Sequence, residues 1–209
     1  IIVEKKNYKF SLKENLNKRF TDKKASVKTP QAEELVKQEI QKVFAPREGL
    51  DRVFFPEKSL QISDRPVITF VIGDLNQTMQ DRASTRQWAD KMTRECGTSS
   101  RTYKSALIWV IADNGQPLLE EARKVLAWQA IEDDAEELKL DEAQRRQLTE
   151  NLQKARRDVK ESVWRTYNHV LLLDKSNSLR EVDLGLVHSS STAGGPIENI
   201  INRLTVDGD

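Results

Sequence analysis

The chain has 209 residues, 32% of them charged and 37% hydrophobic, which is typical of a globular protein with a polar surface. No apolar run approaches the ~20 residues of a membrane span, so we expect no membrane contact. The single cysteine, Cys96, excludes an internal disulfide and favours a reducing, cytoplasmic compartment. The chain begins at Ile1 and shows no signal peptide, from which we expect a piece of a longer polypeptide.

Charge is unevenly distributed although the net charge is only +1. Residues 1–30 hold nine Lys/Arg and three Asp/Glu, and residues 143–165 hold seven and three. Residues 132–142 are acidic. Such blocks usually form solvated faces, but a basic face can also bind nucleic acid or an acidic partner.

The amino-terminal half predicts strands and helices in alternation. Weak alternation over residues 8–12 indicates a short strand. Thr29-Pro30 predicts a helix start, because threonine caps helices and proline suits the first turn. A short strand over residues 52–55 ends at Pro56, a buried strand covers residues 67–74, and a helix over residues 85–95 stops at Gly97.

A second buried strand over residues 106–113 opens the carboxyl-terminal half. Pro117 and Asp141 each favour a helix start, and the two helices together predict a helical hairpin over residues 117–168. A third apolar strand over residues 170–173 and a short strand over residues 180–187 follow. We expect a flexible loop and a terminal helix over residues 189–209.

This alternation predicts an α/β fold with a mainly parallel sheet flanked by helices. We expect residues 1–209 to form a single α/β domain. The long helical hairpin is expected to be an insertion that protrudes from it.

Two of the apolar strands end in an aspartate, Asp74 and Asp113, and the third ends in Asp174. Ligands of open α/β sheets bind at the carboxyl ends of the strands, and paired carboxylates there can hold Mg²⁺. The alternative is that each aspartate caps the loop after it. Neither strand is followed by GxxxxGK[ST] or GxGxxG, so no phosphate-binding loop accompanies them.

Arg101 precedes the second strand in a loop that contains Thr98, Ser99 and Ser100. An arginine in this position can act as an arginine finger on a phosphate, or can be an ordinary surface residue.

The four tryptophans are predicted to be core anchors rather than base-stacking platforms, because their spacing follows burial patterns. They are Trp88, Trp109, Trp128 and Trp164.

From Arg101 through the strand to Asp113, the chain resembles a family of large prokaryotic predicted ATPases of the AAA P-loop type, often met in phage-defence gene clusters. The likeness continues through Ala127-Trp128, an acidic turn at residues 132–134 and a Gln-rich long helix to Tyr167. Asn15-Leu16-Asn17 is similar to an element of the same family. Members often carry asparagine before the strand, where this chain has Lys104-Ser105, so a sensor role there is not implied.

The resemblance implies the second part of an ATPase module, without its Walker A loop and inactive alone. It implies a role at a nucleotide site for Arg101 and Asp113, whereas the candidate role of Asp74 follows only from its position at the end of a strand. ATP and Mg²⁺ are expected only with the longer polypeptide. Partners would be the rest of that polypeptide, a second copy, or nucleic acid on the basic faces.

Two other functions follow from the residues alone. Asp74 and Asp113 would suit a Mg²⁺-dependent nuclease or phosphotransfer domain. The helical hairpin and the basic faces would suit a non-catalytic module that binds protein or nucleic acid.

Overall fold

The computed structural model describes residues 15–187 and 194–208. The strand predicted at residues 8–12 and most of the loop predicted from residue 189 lie outside these ranges. The chain divides into two compact units. The helical unit comprises Ile1–Glu39 and Leu118–Lys160, and the sheet unit comprises Ile40–Pro117 and Glu161–Asp209.

Six α-helices lie in the described ranges: α1 (15–26), α2 (Thr29–Val43), α3 (Arg82–Arg94), α4 (Gln116–Asp133), α5 (Glu142–Thr166) and α6 (Pro196–Asp207). The strands there are β1 (Asp51–Phe54), β2 (Thr69–Ile72), β3 (Glu95–Cys96), β4 (Ser99–Ser100), β5 (Leu107–Ile111), β6 (His169–Leu173) and β7 (Leu179–Asp183). Short 3₁₀ turns cover Ser59–Gln61, Met79–Asp81 and Lys104–Ala106.

Five strands form the main sheet in the order β1-β2-β5-β6-β7. The β1–β2 and β2–β5 pairs are parallel, whereas β6 is antiparallel to both of its neighbours. Four of the five strands therefore point the same way. The predicted α/β fold, a mainly parallel sheet flanked by helices, is confirmed.

The direction of β6 corrects one expectation from the sequence. The sequence pattern places Asp174 with Asp74 and Asp113, because all three follow an apolar strand, but β6 runs the opposite way and ends at the opposite edge of the sheet. The cause is the connection, since two successive helices bring the chain back to the edge that it left. The amide of Asp113 donates to the carbonyl of Thr166, at 2.8 Å, and marks this return.

The core of the sheet unit centres on Trp109 of β5, which is fully buried. Its ring lies edge-to-face with that of Trp88, the centroids 5.0 Å apart, and its Nε1 donates to Oγ1 of Thr93 at 2.8 Å. Trp164 is also buried, and Trp88 packs partly buried against this core. Buried apolar residues around Trp109 include Ile62, Val71, Met79, Ala89, Met92, Leu107, Ile111 and Leu171.

The helical unit has its own apolar cluster, formed by Leu16, Ile131 and Leu148. The Phe20 and Trp128 rings stack beside it, with centroids 4.2 Å apart. Trp128 is thus partly buried and packs against this cluster, rather than lying within the core as the sequence predicts.

The predicted start of α5 at Asp141 is also correct. Oδ1 of Asp141 accepts from the amide of Gln144 at 2.8 Å, and the Gln144 side chain accepts from the amide of Asp141, which makes a reciprocal cap. Across the described ranges, no helix is both long and apolar enough to cross a membrane.

The buried Trp109–Thr93 hydrogen bond yields the first prediction. Thr93→Val keeps the side-chain shape but leaves the indole N–H of Trp109 without its acceptor, so we expect the free energy of unfolding to fall by about 1–3 kcal/mol. Urea denaturation followed by tryptophan fluorescence measures this change.

Thr149→Val is the matched control. Both hydroxyls donate to the carbonyl four residues earlier, Thr93 to Ala89 at 2.7 Å and Thr149 to Arg145 at 3.0 Å, but Thr149 is exposed. We expect a change within about 0.5 kcal/mol there. Equal effects of the two substitutions would contradict a special role for the Trp109 contact.

Candidate functional site at the carboxyl edge of the sheet

Asp74 and Asp113 leave the sheet at the same edge. Strands β2 and β5 are parallel neighbours whose register pairs Ile72 with Val110. The amide of Gly73 extends this pairing by donating to the carbonyl of Val110 at 3.0 Å. The two carboxylates therefore follow adjacent strands at the carboxyl edge, as the strand pattern predicted.

The backbone before Asp74 is held by Tyr167. The Tyr167 hydroxyl donates to the carbonyl of Gly73 at 2.8 Å, and its side chain is buried. Burial raises the pKa of Tyr167 far above its usual range, and the nearby negative charge of Asp74 raises it further, so the hydroxyl remains a donor. Oδ1 of Asp74 accepts from the amide of Leu75 at 2.7 Å, which orients the carboxylate.

The loops after β2 and β5 are joined to each other. The amide of Met79 donates to the carbonyl of Ala112 at 2.9 Å, and Thr78 forms a parallel bridge with Ala112. Thr85 of α3 donates its hydroxyl to the carbonyl of Thr78 at 2.8 Å. These contacts fix the loop that follows Asp74 next to Ala112, the residue before Asp113.

Asp113 contacts a buried histidine. Nε2 of His169 lies 3.3 Å from Oδ1 of Asp113, and Nδ1 lies 3.2 Å from Oε1 of Glu181. The Nδ1 contact is close enough for an ion pair but lacks hydrogen-bond geometry. The His169 side chain is 5% exposed and that of Asp113 is 60% exposed. Asp113 is therefore the member of this group that faces solvent.

Two arginines of α3 complete the network on the far side of the histidine. Arg82 and Arg86 both pair with Glu181, and Arg86 also donates to the carbonyl of Leu179 at 2.6 Å. Burial alone would raise the pKa of Glu181, but the hydrogen bond from Arg82 and the charges of Arg82, His169 and Arg86 outweigh it and hold that pKa below its ordinary value. Glu181 is therefore ionised and fixed at neutral pH.

Arg101 lies elsewhere. It precedes β5 whereas Asp113 follows it, so the length of the strand separates them. Its side chain is buried at 4% exposure, and its guanidinium donates to backbone carbonyls. The acceptors are Ser59, Ile62, Ser63, Met92 and Glu95, at 2.8–3.4 Å. This geometry gives Arg101 a structural role, and an arginine-finger role gains no support from it.

Sequence reasoning missed His169, Glu181 and Arg82. The two histidines of the sequence, His169 and His188, lack the Cys/His spacing of a metal site. The contacts of His169 depend on an antiparallel register that pairs it with Ile111 and with Asp183. Only the short strand predicted over residues 180–187 overlaps Glu181, and the structure has that strand at Leu179–Asp183. Among the described residues, no group of three or more His, Cys, Asp or Glu is arranged to hold a metal ion.

No family model, curated protein or solved structure matches this chain. The likeness to AAA-type ATPases therefore stays an expectation from sequence motifs.

Glu181 yields a pH-dependent prediction. Because its pKa is lowered in the folded state from an ordinary 4.5, its stabilising contribution is present above that value and is lost as pH falls through the folded pKa. Glu181→Gln should lower the free energy of unfolding by about 1–3 kcal/mol at pH 7. The difference from the natural chain should shrink on acidification below the ordinary value, as urea denaturation at several pH values would measure.

Glu136→Gln is the control, since Glu136 pairs with Arg145 but is 86% exposed. Its effect should be under about 0.5 kcal/mol at every pH, as for most surface ion pairs. If the loss in free energy of unfolding caused by Glu181→Gln stays constant on acidification, it does not arise from the ionised Glu181 carboxylate.

Arg101 yields a stability prediction. Arg101→Met retains the apolar stem but leaves several buried carbonyls without a donor, so we expect the free energy of unfolding to fall by about 3 kcal/mol or more. Arg146→Met on the exposed face of α5 should change it by less than about 0.5 kcal/mol. Thermal and urea unfolding of both variants provide the comparison, and an unchanged stability of Arg101→Met would contradict the structural role.

Proposed function

We propose that this chain is the part of an AAA-like ATPase module that lacks the phosphate-binding loop. It supports a nucleotide site that upstream residues complete, and it is not catalytic alone. The sequence resemblance supports the class of activity. The location of the site is supported by one observation, namely that β2 and β5 are adjacent parallel strands carrying Asp74 and Asp113 at one edge.

The chemistry of this edge suits a metal-bound triphosphate. Carboxylate oxygens are hard ligands of the kind that Mg²⁺ prefers, and Mg²⁺ bound to ATP takes its remaining ligands from phosphates and water. Asp113 would contact the metal or its waters, because its carboxylate is exposed and is oriented by His169. Asp74 would act from the neighbouring strand, on a backbone held by Tyr167.

Arg101 has an indirect role in this proposal. It links the turn before β2 to the end of α3 and so stabilises the strands that carry the carboxylates. The helical unit would contact other parts of the polypeptide or a partner.

A Mg²⁺-dependent phosphotransfer or nuclease domain is the second candidate, because the same pair of carboxylates favours it. The two functions differ in what the 209-residue chain does alone. A nuclease would cleave DNA or RNA with Mg²⁺ and no further segment, whereas the ATPase part would not hydrolyse ATP without its phosphate-binding loop.

The test measures Mg²⁺-dependent ATP hydrolysis by the longer polypeptide that the proposal requires. Asp113→Asn and Asp74→Asn should each lower the rate at least about tenfold, because an amide cannot balance the charge of the metal and phosphates as a carboxylate does.

Asp174→Asn is the matched control. Asp174 also follows an apolar strand but lies at the opposite edge, where its Oδ1 accepts from the amides of Ser176 and Ser178. Asparagine preserves such a turn, so hydrolysis should be unchanged. Full activity of both Asp74→Asn and Asp113→Asn, or ATP hydrolysis by the 209-residue chain alone, would contradict the proposal.

A further inference from the structure

A cleft opens at the amino edge of the sheet, the edge opposite to Asp74 and Asp113. It has a volume of about 510 Å³ and lies wholly within the sheet unit. Leu50, Ile68 and Ala106 line it, and they directly precede β1, β2 and β5. Pockets that bind small molecules have volumes of about 300–1,000 Å³, so the cleft has the size of a ligand site.

Helix α6 contributes to the lining of the cleft, which we call the α6 cleft. Ile201 and Leu204 of α6 line it together with Ile108 of β5 and Leu172 of β6. Its apolar lining is incompletely buried, since Ile68 is 48% exposed. A ligand with an apolar body would therefore remove aliphatic surface from water when it binds there.

The polar residues of the α6 cleft determine which head group suits such a ligand. Arg47 pairs with Glu198, so its positive charge is compensated. Glu48 is exposed and pairs with no cation among the residues that the structure describes. Ser105 and Thr205 contribute only neutral hydroxyl groups. The uncompensated charge beside the aliphatic lining is therefore negative.

We propose that the α6 cleft binds an alkylammonium amphiphile, with its aliphatic chain against the apolar lining and its cationic head beside Glu48. The volume of the cleft favours a small molecule, and the charge of Glu48 favours a cation over an anion. The site lies at the edge opposite to the proposed nucleotide site, and its ligand does not depend on Asp74, Asp113 or Mg²⁺.

The test titrates butyl-, hexyl- and octylammonium into the 209-residue chain and follows the amide signals by NMR. Each methylene group that enters an apolar site adds up to about fourfold in affinity. We therefore expect affinity to rise with chain length and the perturbed amides to include those of Ile68, Ala106 and Ile201.

Probes with the same chain and different head groups test the role of Glu48. Octylammonium should bind about two- to fivefold more tightly than octanol, as expected for an exposed ion pair, and octanoate should bind most weakly. Glu48→Gln should abolish the preference for octylammonium and leave octanol binding unchanged. A folding defect would not produce this pair of results, because it would weaken both probes.

Thr205→Trp fills the α6 cleft from an exposed position and should weaken octylammonium and octanol about tenfold or more. Val206→Trp is the matched control, since Val206 is the next residue of α6, is 83% exposed and does not line the cleft. Its affinity for both probes should equal that of the natural chain. Urea denaturation of the two variants checks that each retains the fold.

Several results would overturn the proposal. Equal affinity for butyl- and octylammonium would show that the aliphatic lining does not bind the chain of the probe. Octanoate binding as tightly as octylammonium would remove the role of Glu48. Perturbed amides outside the α6 cleft, or undiminished binding by Thr205→Trp, would place the probes elsewhere. Concentration-dependent dimerisation that Thr205→Trp abolishes would assign the cleft to a second copy of the chain.

Discussion

The return of the chain beside the end of β5 is the constraint on which the candidate site depends. The Asp113 amide bonds to the carbonyl of Thr166, so the end of α5 is fixed at the carboxyl edge of the sheet. The next residues then act in succession, since Tyr167 holds Gly73 and His169 contacts Asp113. Three residues within one short segment, Thr166, Tyr167 and His169, thus fix both loops that carry the carboxylates.

This arrangement explains why a nearly parallel sheet contains one reversed strand. A parallel β6 would have to begin at the opposite edge, and His169 would then lie far from Asp113. With β6 reversed, its first residue is at the carboxyl edge, and its pairing with β7 brings Glu181 to the second nitrogen of the ring. The arginines of α3 then pair with Glu181, so the charge of this partly buried carboxylate is compensated.

The sequence predicted those features that depend on local pattern. The buried strands, the start of α5 and the positions of Asp74 and Asp113 follow from apolar runs, capping residues and strand ends, and these are properties of short segments. The direction of β6 does not follow from a short segment, because it depends on the edge of the sheet at which α4 and α5 leave the chain. Arg101 illustrates the same limit, since a polar loop predicts exposure whereas the structure buries its guanidinium among carbonyls that are distant in sequence.

The two carboxylates of the edge, Asp74 and Asp113, differ in exposure and in the contacts that orient them. Asp113 directs Oδ1 toward the buried His169 while most of its side chain faces solvent. It could therefore bind a cation with little further loss of side-chain conformational freedom, since the contact with His169 already orients it. Asp74 is partly buried and its Oδ1 is engaged by the amide of Leu75, so it contributes charge from a rigid loop. A metal-bound phosphate approaching this edge would meet Asp113 as the accessible ligand and Asp74 as a fixed negative charge beside it.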